Sequence, residues 1–295
     1  MNTVAIVGVG NMGGAMAARL LEQGWAVRVC DIEAAKVETL KGQGAVACGS
    51  PAEAVTGCSA LIVCVVDAAQ AEQVLFGSRG AAGAMRPGQA VLLCPTIAPA
   101  DTVDFARRLV QQGIDAVDAP MSGGPARARD GTMSLMIACS DGVFQRQRGL
   151  IEALSGKVFR ISERPGDGAA TKLVNNLLAG INLVGAAEAM ALAQRMGLDL
   201  STTLEVVEQS SGQSWIGSDR MRRAIEGDYQ PRAHVTLLQK DTRLAVEAAA
   251  AAGFEGPLGA AARDVFAHTA AAGFAQLDDA AVFKLLSRTA KPRAA

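Results

Sequence analysis

The sequence lacks an excess of charge of either sign. Its 295 residues carry 28 lysines and arginines against 29 aspartates and glutamates, a formal net charge of -1 at pH 7. Without a basic field the chain has nothing to hold a polyanion, which excludes nucleic-acid binding as its main task. Half of the residues are hydrophobic and only 19% are charged, so we predict a folded chain of about two domains.

Long uninterrupted apolar runs are also missing. The longest, at residues 60–66 and 248–252, fall well short of the ~20 residues that a membrane-spanning helix needs. No basic segment precedes an apolar one at the N-terminus, where residues 4–9 have the pattern of a buried strand instead of a secretory signal. We therefore expect a soluble, cytoplasmic protein without a membrane partner.

Metal-binding residue types are sparse. The two histidines, His234 and His268, lie far apart in the sequence, which argues against a His-rich metal site and against a Ser-His-Asp triad. The six cysteines contain no Cys-x-x-Cys pair, and most lie in or beside apolar, strand-like runs. We expect reduced, buried thiols and no metal.

The first half of the chain alternates short apolar runs with amphipathic segments. Runs without polar alternation are typical of strands covered on both faces, which predicts parallel βαβ units and a doubly wound sheet. The predicted strands are residues 4–9, 26–30, 61–66, 90–94, 114–119 and 134–138, and the predicted helices are residues 12–23, 34–43, 68–76 and 99–112.

After residue 164 the strand-like runs end and a 3.6-residue period predicts helices only. The first, at residues 166–196, is apolar on most faces, which predicts burial on most sides. This helix should join the α/β domain, at residues 1–164, to an all-α domain at residues 165–290, with a frayed tail at residues 291–295. The remaining predicted helices are residues 201–209, 218–226, 235–252, 258–272 and 278–287.

A glycine motif follows the first predicted strand and opens the first predicted helix. Gly8, Gly10 and Gly13 form G-x-G-x-x-G. In this position the first glycine allows a tight turn, the second lets a pyrophosphate approach the backbone, and the third lets helix and strand pack closely. We predict a Rossmann-type dinucleotide site, with a chance glycine turn as the alternative.

Asp31 ends the second predicted strand. An acidic side chain there can accept hydrogen bonds from both adenosine ribose hydroxyls and would repel a 2′-phosphate. The sequence therefore predicts NAD, in preference to NADP, as the cofactor. The alternative is that Asp31 only caps a turn.

Three further motifs follow the glycine motif Gly8-Val9-Gly10-Asn11-Met12-Gly13. They are Asp118-Ala119-Pro120-Met121-Ser122-Gly123-Gly124, Lys172-Leu173-Val174-Asn175-Asn176 and Lys240-Asp241. In this order, over nearly the whole chain, the four motifs resemble those of the 3-hydroxyisobutyrate dehydrogenase (β-hydroxyacid dehydrogenase) family. The fold of that family, a dinucleotide domain followed by a helical one, is the fold predicted above.

The resemblance implies that Lys172 is the catalytic acid/base and that Asn176 helps to hold the substrate. Residues four apart on a helix share a face, so both side chains can converge on one substrate oxygen. Burial disfavours the charged form of a lysine, which lets it accept the hydroxyl proton. The alternative is a lysine that extends to the surface, and Asn175 is interpreted as structural.

Ser122, Gly123 and Gly124 match the substrate loop of the family, where a hydroxyl and exposed N–H groups can bind a carboxylate. Pro125 and Arg127 are less usual for the family and could alter the substrate range. We interpret Arg127 as a solvated loop residue, with a second cationic contact to the substrate as the alternative.

The resemblance also implies cofactor contacts beyond the glycines. Many family members have Pro or Asn at the positions of Val66 and Asp67, which leaves the details of that loop open. Asp241 could also form a surface salt bridge with Lys240. The implied cofactor residues are Asn11, Met12, Val65, Val66, Gln70, Thr96, on the nicotinamide side, and Lys240.

Together these features predict NAD-dependent oxidation of a small hydroxy acid by hydride transfer to NAD. A non-catalytic NAD-binding module and an NADPH-linked aldehyde or imine reductase are the alternatives. Lys172 with Asn176 argues against the module, Lys172 argues against the imine variants, and Asp31 argues against NADPH.

For the substrate, residues 122–128, 210–215 and 231–234 resemble the sugar-acid branch of the family. Each buried hydroxyl of a polyhydroxy acid needs a partner, which Ser122, Gln213, Ser214 and Arg127 could supply. We expect a four-carbon acid such as L-threonate first, 3-hydroxyisobutyrate second, and tartronate semialdehyde or glycerate third. The apolar helix after Gly166 exceeds what one subunit can cover, which predicts a homodimer or homotetramer.

Overall fold

The computed structural model describes residues 3–288, so the predicted tail at 291–295 lies outside the described residues. Contacts divide the chain into two compact units, with the division between Lys172 and Leu173. This division falls inside one helix, which begins in the N-terminal unit and continues into the C-terminal unit.

The N-terminal unit is built around one sheet of nine strands. Its strands are β1 (Thr3–Val7), β2 (Ala26–Cys30), β3 (Val46–Ala47), β4 (Ala60–Val63), β5 (Ala90–Leu93), β6 (Asp115–Asp118), β7 (Met121–Ser122), β8 (Ser134–Ala138) and β9 (Lys157–Ser162). Its helices are α1 (Asn11–Glu22), α2 (Ala34–Lys41), α3 (Pro51–Ala54), α4 (Ala68–Phe76), α5 (Pro99–Val110), α6 (Gly124–Asp130) and α7 (Asp141–Leu154), with a 3₁₀ turn at Ala82–Ala84.

The strand order is β3-β2-β1-β4-β5-β6-β8-β7, and β9 pairs with β8. The first six strands in this order are parallel, whereas β8 runs antiparallel to β6 and β7. The order reverses at β1, which lies between β2 and β4. In a doubly wound sheet this reversal opens the crevice where a nucleotide binds, so the predicted Rossmann-type fold is confirmed.

Burial on both faces explains the apolar strand runs. In β1, Val4 and Ile6 enter one hydrophobic cluster while Ala5 and Val7 enter a second cluster. Because successive side chains of a strand point to opposite faces, the two clusters cover opposite sides of the sheet.

The sequence patterns missed three strands, β3, β7 and β9, and three helices, α3, α6 and α7. Most of these elements are very short, and β9 is a partly exposed strand without a continuous apolar run. The helix α7 has 14 residues but a largely polar sequence, with only a narrow buried stripe that includes Leu150, Ile151 and Leu154. Such elements form because their neighbours cover them, which local patterns do not record.

Within residues 173–288, the C-terminal unit consists of helices and connecting segments, with one isolated β-bridge between His234 and Asp278. The helix predicted over 258–272 is α-helical to Thr269 and continues as a π-helical turn, in which Gly273 has a φ of 90°. The helices are α8 (Asp167–Arg195, whose first residues, as far as Lys172, lie in the N-terminal unit), α9 (Leu200–Glu208), α10 (Trp215–Ile225), α11 (Val235–Ala251), α12 (Pro257–Thr269), the π turn Ala270–Phe274 and α13 (Ala281–Arg288).

Helix α8 differs from its prediction in two respects. By length and composition alone it could cross a membrane, with a mean hydropathy of 1.4 over 18 residues, although the absence of a long uninterrupted apolar run predicted no such segment. Leu183 and Ala187 are fully buried in the helical core, which is the placement of a core helix. Val174 and Leu178 are 70% and 58% exposed, so the prediction of burial on most sides was wrong on that side.

Candidate active site

The glycine motif forms the turn between β1 and α1. Gly8 has a φ of +89°, and a Cβ on this residue would lie 2.4 Å from the carbonyl oxygen of Cys64. A Cβ on Gly13 would lie 1.9 Å from the carbonyl oxygen of Gly8. Only glycine fits either position, because backbone atoms occupy the space of a side chain.

The second glycine of the motif, Gly10, has a different environment. A Cβ on Gly10 would have nothing within 4 Å, so space is open beside this backbone. Gly10 is the N-cap of α1, no side chain caps the helix, and its first turn contains no acidic residue. Asn11 and Met12 are the first two residues of the helix. The uncapped N–H groups and the helix dipole therefore fit a dinucleotide pyrophosphate.

Asp31 follows β2 and joins the glycine turn to the start of α2. Its Oδ2 accepts a hydrogen bond from the Val9 N–H at 2.6 Å, and its Oδ1 accepts one from the Glu33 N–H at 2.8 Å. The turn-capping contact that was the alternative is therefore present. Each carboxylate oxygen retains a second acceptor position, so capping leaves Asp31 able to accept from a ribose hydroxyl.

The loop after β4 is held by its own side chains. The Gln70 N–H donates to Oδ1 of the N-cap Asp67 at 2.8 Å, and the Gln70 side chain accepts from the Val66 N–H at 3.0 Å, so side chains hold the start of α4. Val65 and Thr96 follow β4 and β5 closely. The predicted cofactor residues of this unit thus share the carboxyl edge of the parallel strands.

The Ser-Gly-Gly loop has an unusual backbone. Ser122 lies in β7, and Gly123 and Gly124 have φ values of 132° and 75°. A Cβ on Gly123 would lie 2.9 Å from Cδ of Arg127, so the Arg127 stem packs over the turn. The interpretation of Arg127 as a solvated loop residue was wrong, because this arginine is half-buried in α6.

A buried carboxylate, which the sequence reading did not assign a role, ends strand β6. Oδ2 of Asp118 accepts hydrogen bonds from the Gly166 N–H at 2.8 Å and the Ala169 N–H at 3.0 Å. Burial raises the pKa of the Asp118 carboxyl to about 6, although these backbone hydrogen bonds oppose the rise. The sequence signal that could have identified Asp118 is its acidic side chain within the otherwise apolar stretch at residues 116–119.

Lys172 and Asn176 lie four residues apart on α8. Lys172 is only 7% exposed, so its side chain does not extend to the surface. In the C-terminal unit, Asn176 is equally buried, and its Nδ2 donates to Oδ2 of Asp241 at 2.6 Å. Asn175 Nδ2 donates to Oδ1 of Asn176 at 3.0 Å. Both the oxygen and the nitrogen of the Asn176 amide therefore have hydrogen-bond partners.

Asp241 also forms a salt bridge with Lys240, whose Nζ lies 2.7 Å from Oδ1. The two side chains are only 15% and 10% exposed. The salt bridge that was considered as an alternative therefore exists, but it is largely buried and not on the surface. One carboxylate holds two of the residues that sequence analysis assigned to the site.

The polar residues proposed near the substrate have local partners in the C-terminal unit. Ser214 Oγ accepts from the Gly217 N–H at 3.1 Å as the N-cap of α10, and Gln213 is exposed. His234 Nδ1 lies 3.0 Å from the carbonyl oxygen of Gln276.

Within residues 3–288, no group of three or more His, Cys, Asp or Glu side chains could hold a metal ion.

The six cysteines are free thiols. Five are buried, and Cys64, beside the glycine turn, is half-buried. Burial raises the pKa of every one of these thiols, that of Cys64 to about 12. They therefore act as small apolar side chains and not as nucleophiles.

Two family models cover both units. The model for the NAD-binding domain of 6-phosphogluconate dehydrogenase matches residues 3–162. The model described as NAD-binding of NADP-dependent 3-hydroxyisobutyrate dehydrogenase matches residues 166–286. Together with the glycine turn and the helical second unit, these matches define the protein as an NAD-dependent hydroxyacid dehydrogenase.

Comparisons over the full length narrow this class. The chain is 40% identical to L-threonate dehydrogenase of Escherichia coli K12, over 99% of this chain and 97% of the relative. It is 34% identical to 3-hydroxyisobutyrate dehydrogenase of Pseudomonas aeruginosa, over 90% of this chain and 91% of the relative. A crystal structure of 3-hydroxyisobutyrate dehydrogenase from Salmonella typhimurium is 38% identical and superposes with a TM-score of 0.91, over 97% of this chain and 100% of that one. The chain belongs to the 3-hydroxyisobutyrate dehydrogenase family.

Proposed function

We propose that this enzyme oxidises a four-carbon sugar acid, L-threonate, with NAD. The observation that carries the proposal is the burial of Lys172 four residues before the equally buried Asn176, in a chain that is 40% identical to an L-threonate dehydrogenase. 3-Hydroxyisobutyrate is the second candidate, because a relative of that name also aligns with most of the chain.

In this proposal Lys172 accepts the hydroxyl proton of the substrate. Asn176 orients the hydroxyl, and its hydrogen bond to Asp241 holds the amide in place. Ser122, Gly123 and Gly124 bind the carboxylate through a hydroxyl and backbone N–H groups. Bound NAD supplies the hydride acceptor.

We assign the cofactor contacts on the same basis. The uncapped start of α1 binds the pyrophosphate, and Asp31 accepts from the ribose hydroxyls. A 2′-phosphate would meet the Asp31 carboxylate, so we expect kcat/KM with NAD to exceed that with NADP at least about tenfold. The assigned residues are Gly8, Gly10, Asn11, Met12, Gly13, Asp31, Val65, Val66, Gln70, Thr96 and Lys240.

The substrate assignment is tested by kcat/KM for L-threonate, D-glycerate and 3-hydroxyisobutyrate with NAD. We expect L-threonate to be preferred by about tenfold or more, equivalent to about 1.4 kcal/mol in transition-state binding. A tenfold preference for 3-hydroxyisobutyrate would overturn this assignment and leave the family and the cofactor unchanged.

We further propose that the protein is a cytoplasmic homodimer or homotetramer, with its NAD-binding domain at 1–164 and its helical domain at 165–290. Six free thiols suit a reducing compartment. The exposed side chains of Val174 and Leu178, on one side of α8, suit contact with a second subunit. Light scattering at micromolar concentration is expected to give at least twice the chain mass of 30.3 kDa, and a monomeric species would contradict the assembly.

A further inference from the structure

One buried carboxylate links two parts of the N-terminal unit that carry proposed substrate residues. Asp118 ends β6, four residues before Ser122 in the chain. Its Oδ2 accepts hydrogen bonds from Gly166 and Ala169 at the start of α8, and Lys172 follows Ala169 by three residues, about one helical turn. The strand that leads to the substrate loop and the helix that carries the lysine therefore share one anchoring group.

The anchor has little freedom to shift. A Cβ on Gly168 would lie 2.8 Å from Asp118 Oδ2 and 2.9 Å from the carbonyl oxygen of Met136. Gly166 has a φ of +100°, and a Cβ there would lie 2.8 Å from Val103 Cγ2. Two glycines thus let the first turn of α8 pack directly against the carboxylate and the neighbouring elements.

The partners of Asp118 are backbone N–H groups at a helix start, where the helix dipole favours an anion. Helix caps usually come from a residue adjacent to the helix, but here the residue before the helix is Gly166, which has no side chain. The cap comes instead from a residue 48 positions earlier. A local cap would satisfy the helix end equally well, whereas a distant one also fixes where the helix begins relative to the sheet.

We propose that Asp118 is a positioning residue, which fixes the first turn of α8 and thereby the Lys172 side chain relative to the Ser122–Gly124 loop. This inference rests on the proposed roles of Lys172 and Ser122. Asp118 acts through these residues and does not touch the substrate.

The test uses Asp118→Ala and Asp118→Asn in the full-length enzyme. A displacement of about 1 Å at a reacting group can cost on the order of 10²-fold in rate, so we expect a kcat loss of that order for Asp118→Ala with L-threonate. Asp118→Asn should lose less, because its amide retains one acceptor oxygen. The Kd for NAD should stay within about twofold, because the glycine turn is unchanged.

Asp115→Asn is the matched control. Asp115 lies in the same strand, but its carboxylate pairs with Arg146 at 2.7 Å, away from α8. We expect its kcat to equal that of the wild type. A kcat loss in this control as large as that of Asp118→Asn would overturn the proposal, since any carboxylate of β6 would then have the same effect.

Hydrogen exchange of peptides from residues 166–172 gives a readout that does not depend on the substrate. In Asp118→Ala the amides of the first turn lose their acceptor, so their exchange should accelerate at least about tenfold while the remainder of α8 keeps its protection. Unchanged exchange in this segment would overturn the anchoring role, even if the enzyme preferred another acid. Faster exchange with unchanged kcat in both variants would overturn the positioning role.

Discussion

The two units of this dehydrogenase bury polar groups in different ways. The N-terminal unit is held by apolar strands, and its fully buried carboxylate, Asp118, has backbone N–H groups as partners. The C-terminal unit buries opposite charges against each other. The apolar strands of the N-terminal unit follow from a hydrophobic pattern that is visible in the sequence, whereas the polar contacts of both units join residues far apart in the chain.

The charged cluster of the C-terminal unit ties α10 to the segment before α13. Arg220 Nε donates to Asp279 Oδ1 at 2.6 Å, and Arg223 Nη2 donates to Asp278 Oδ1 at 2.9 Å. Burial raises the pKa of Asp279 and would raise that of Asp278, but hydrogen bonds from Arg223 and from the Arg232 N–H hold the Asp278 value below its usual range. A buried charge of this kind is stable only while its partner is present.

The largest expected effect on stability comes from a substitution that breaks this cluster. Arg220→Met leaves Asp279 buried without its partner, which should lower the free energy of unfolding by about 3 to 5 kcal/mol. Arg243→Met, in an exposed pair with Glu247, is the control and should cost less than about 1 kcal/mol. Urea unfolding of both variants measures the difference, and equal losses would show that the buried cluster contributes no more than a surface pair.

The second prediction uses pH to isolate the contribution of Asp118 in the N-terminal unit. The pKa of Asp118 is about 6 in the folded protein against 3.8 ordinarily, so between these values the unfolded chain releases a proton that the folded chain keeps. Rising pH therefore favours unfolding across this window. We expect the wild type to lose stability relative to Asp118→Asn from about pH 4 to about pH 6, by at most about 1.4 kcal/mol per pH unit, and to level off above.

Unfolding of the wild type and Asp118→Asn in parallel urea titrations at several pH values measures this difference. A stability difference that stays constant from pH 4 to pH 6 would show that Asp118 has an ordinary pKa in the folded protein.

The third prediction concerns packing at the glycine turn. Gly13→Ala places a methyl group against the Gly8 carbonyl oxygen, so it should destabilise the N-terminal unit by about 1 to 3 kcal/mol and weaken NAD binding. Thermal unfolding and NAD titration measure the two effects. A variant as stable as the wild type would show that the turn can relax.

The smallest effect on stability is expected at Gly10. A methyl group there meets no protein atom within 4 Å, so Gly10→Ala should leave stability within about 0.5 kcal/mol. It should raise the Kd for NAD about tenfold or more, because the methyl group takes space that the pyrophosphate needs. Unchanged NAD affinity would show that the Gly10 backbone does not contact the pyrophosphate.

The N-terminal unit was largely predictable, because its central strands carry continuous apolar runs. Strands β2 and β8 begin and end where the sequence predicted. The glycine motif also located the turn after β1, because backbone contacts at Gly8 and Gly13 exclude any other residue. Helix α7 was missed because its buried stripe is narrow.

The partners of the buried polar groups were not predictable. Asn176 and Asp241 are 65 residues apart, and Asp118 and Gly166 are 48 apart. No local period relates such pairs, so the sequence showed the acidic residues without showing what they hold. The motif Lys240-Asp241 indicated a pair correctly, but its burial depends on the packing of α8 and α11.

The central claim is that Lys172 transfers the substrate proton, and the rate of NADH formation by Lys172→Met tests it most directly. Methionine fills a similar volume, so folding and NAD affinity should be retained. We predict that kcat with the best hydroxy acid falls by about 10² to 10⁴ relative to the wild type. A kcat within about threefold of the wild type would contradict the account and assign the proton transfer to another residue.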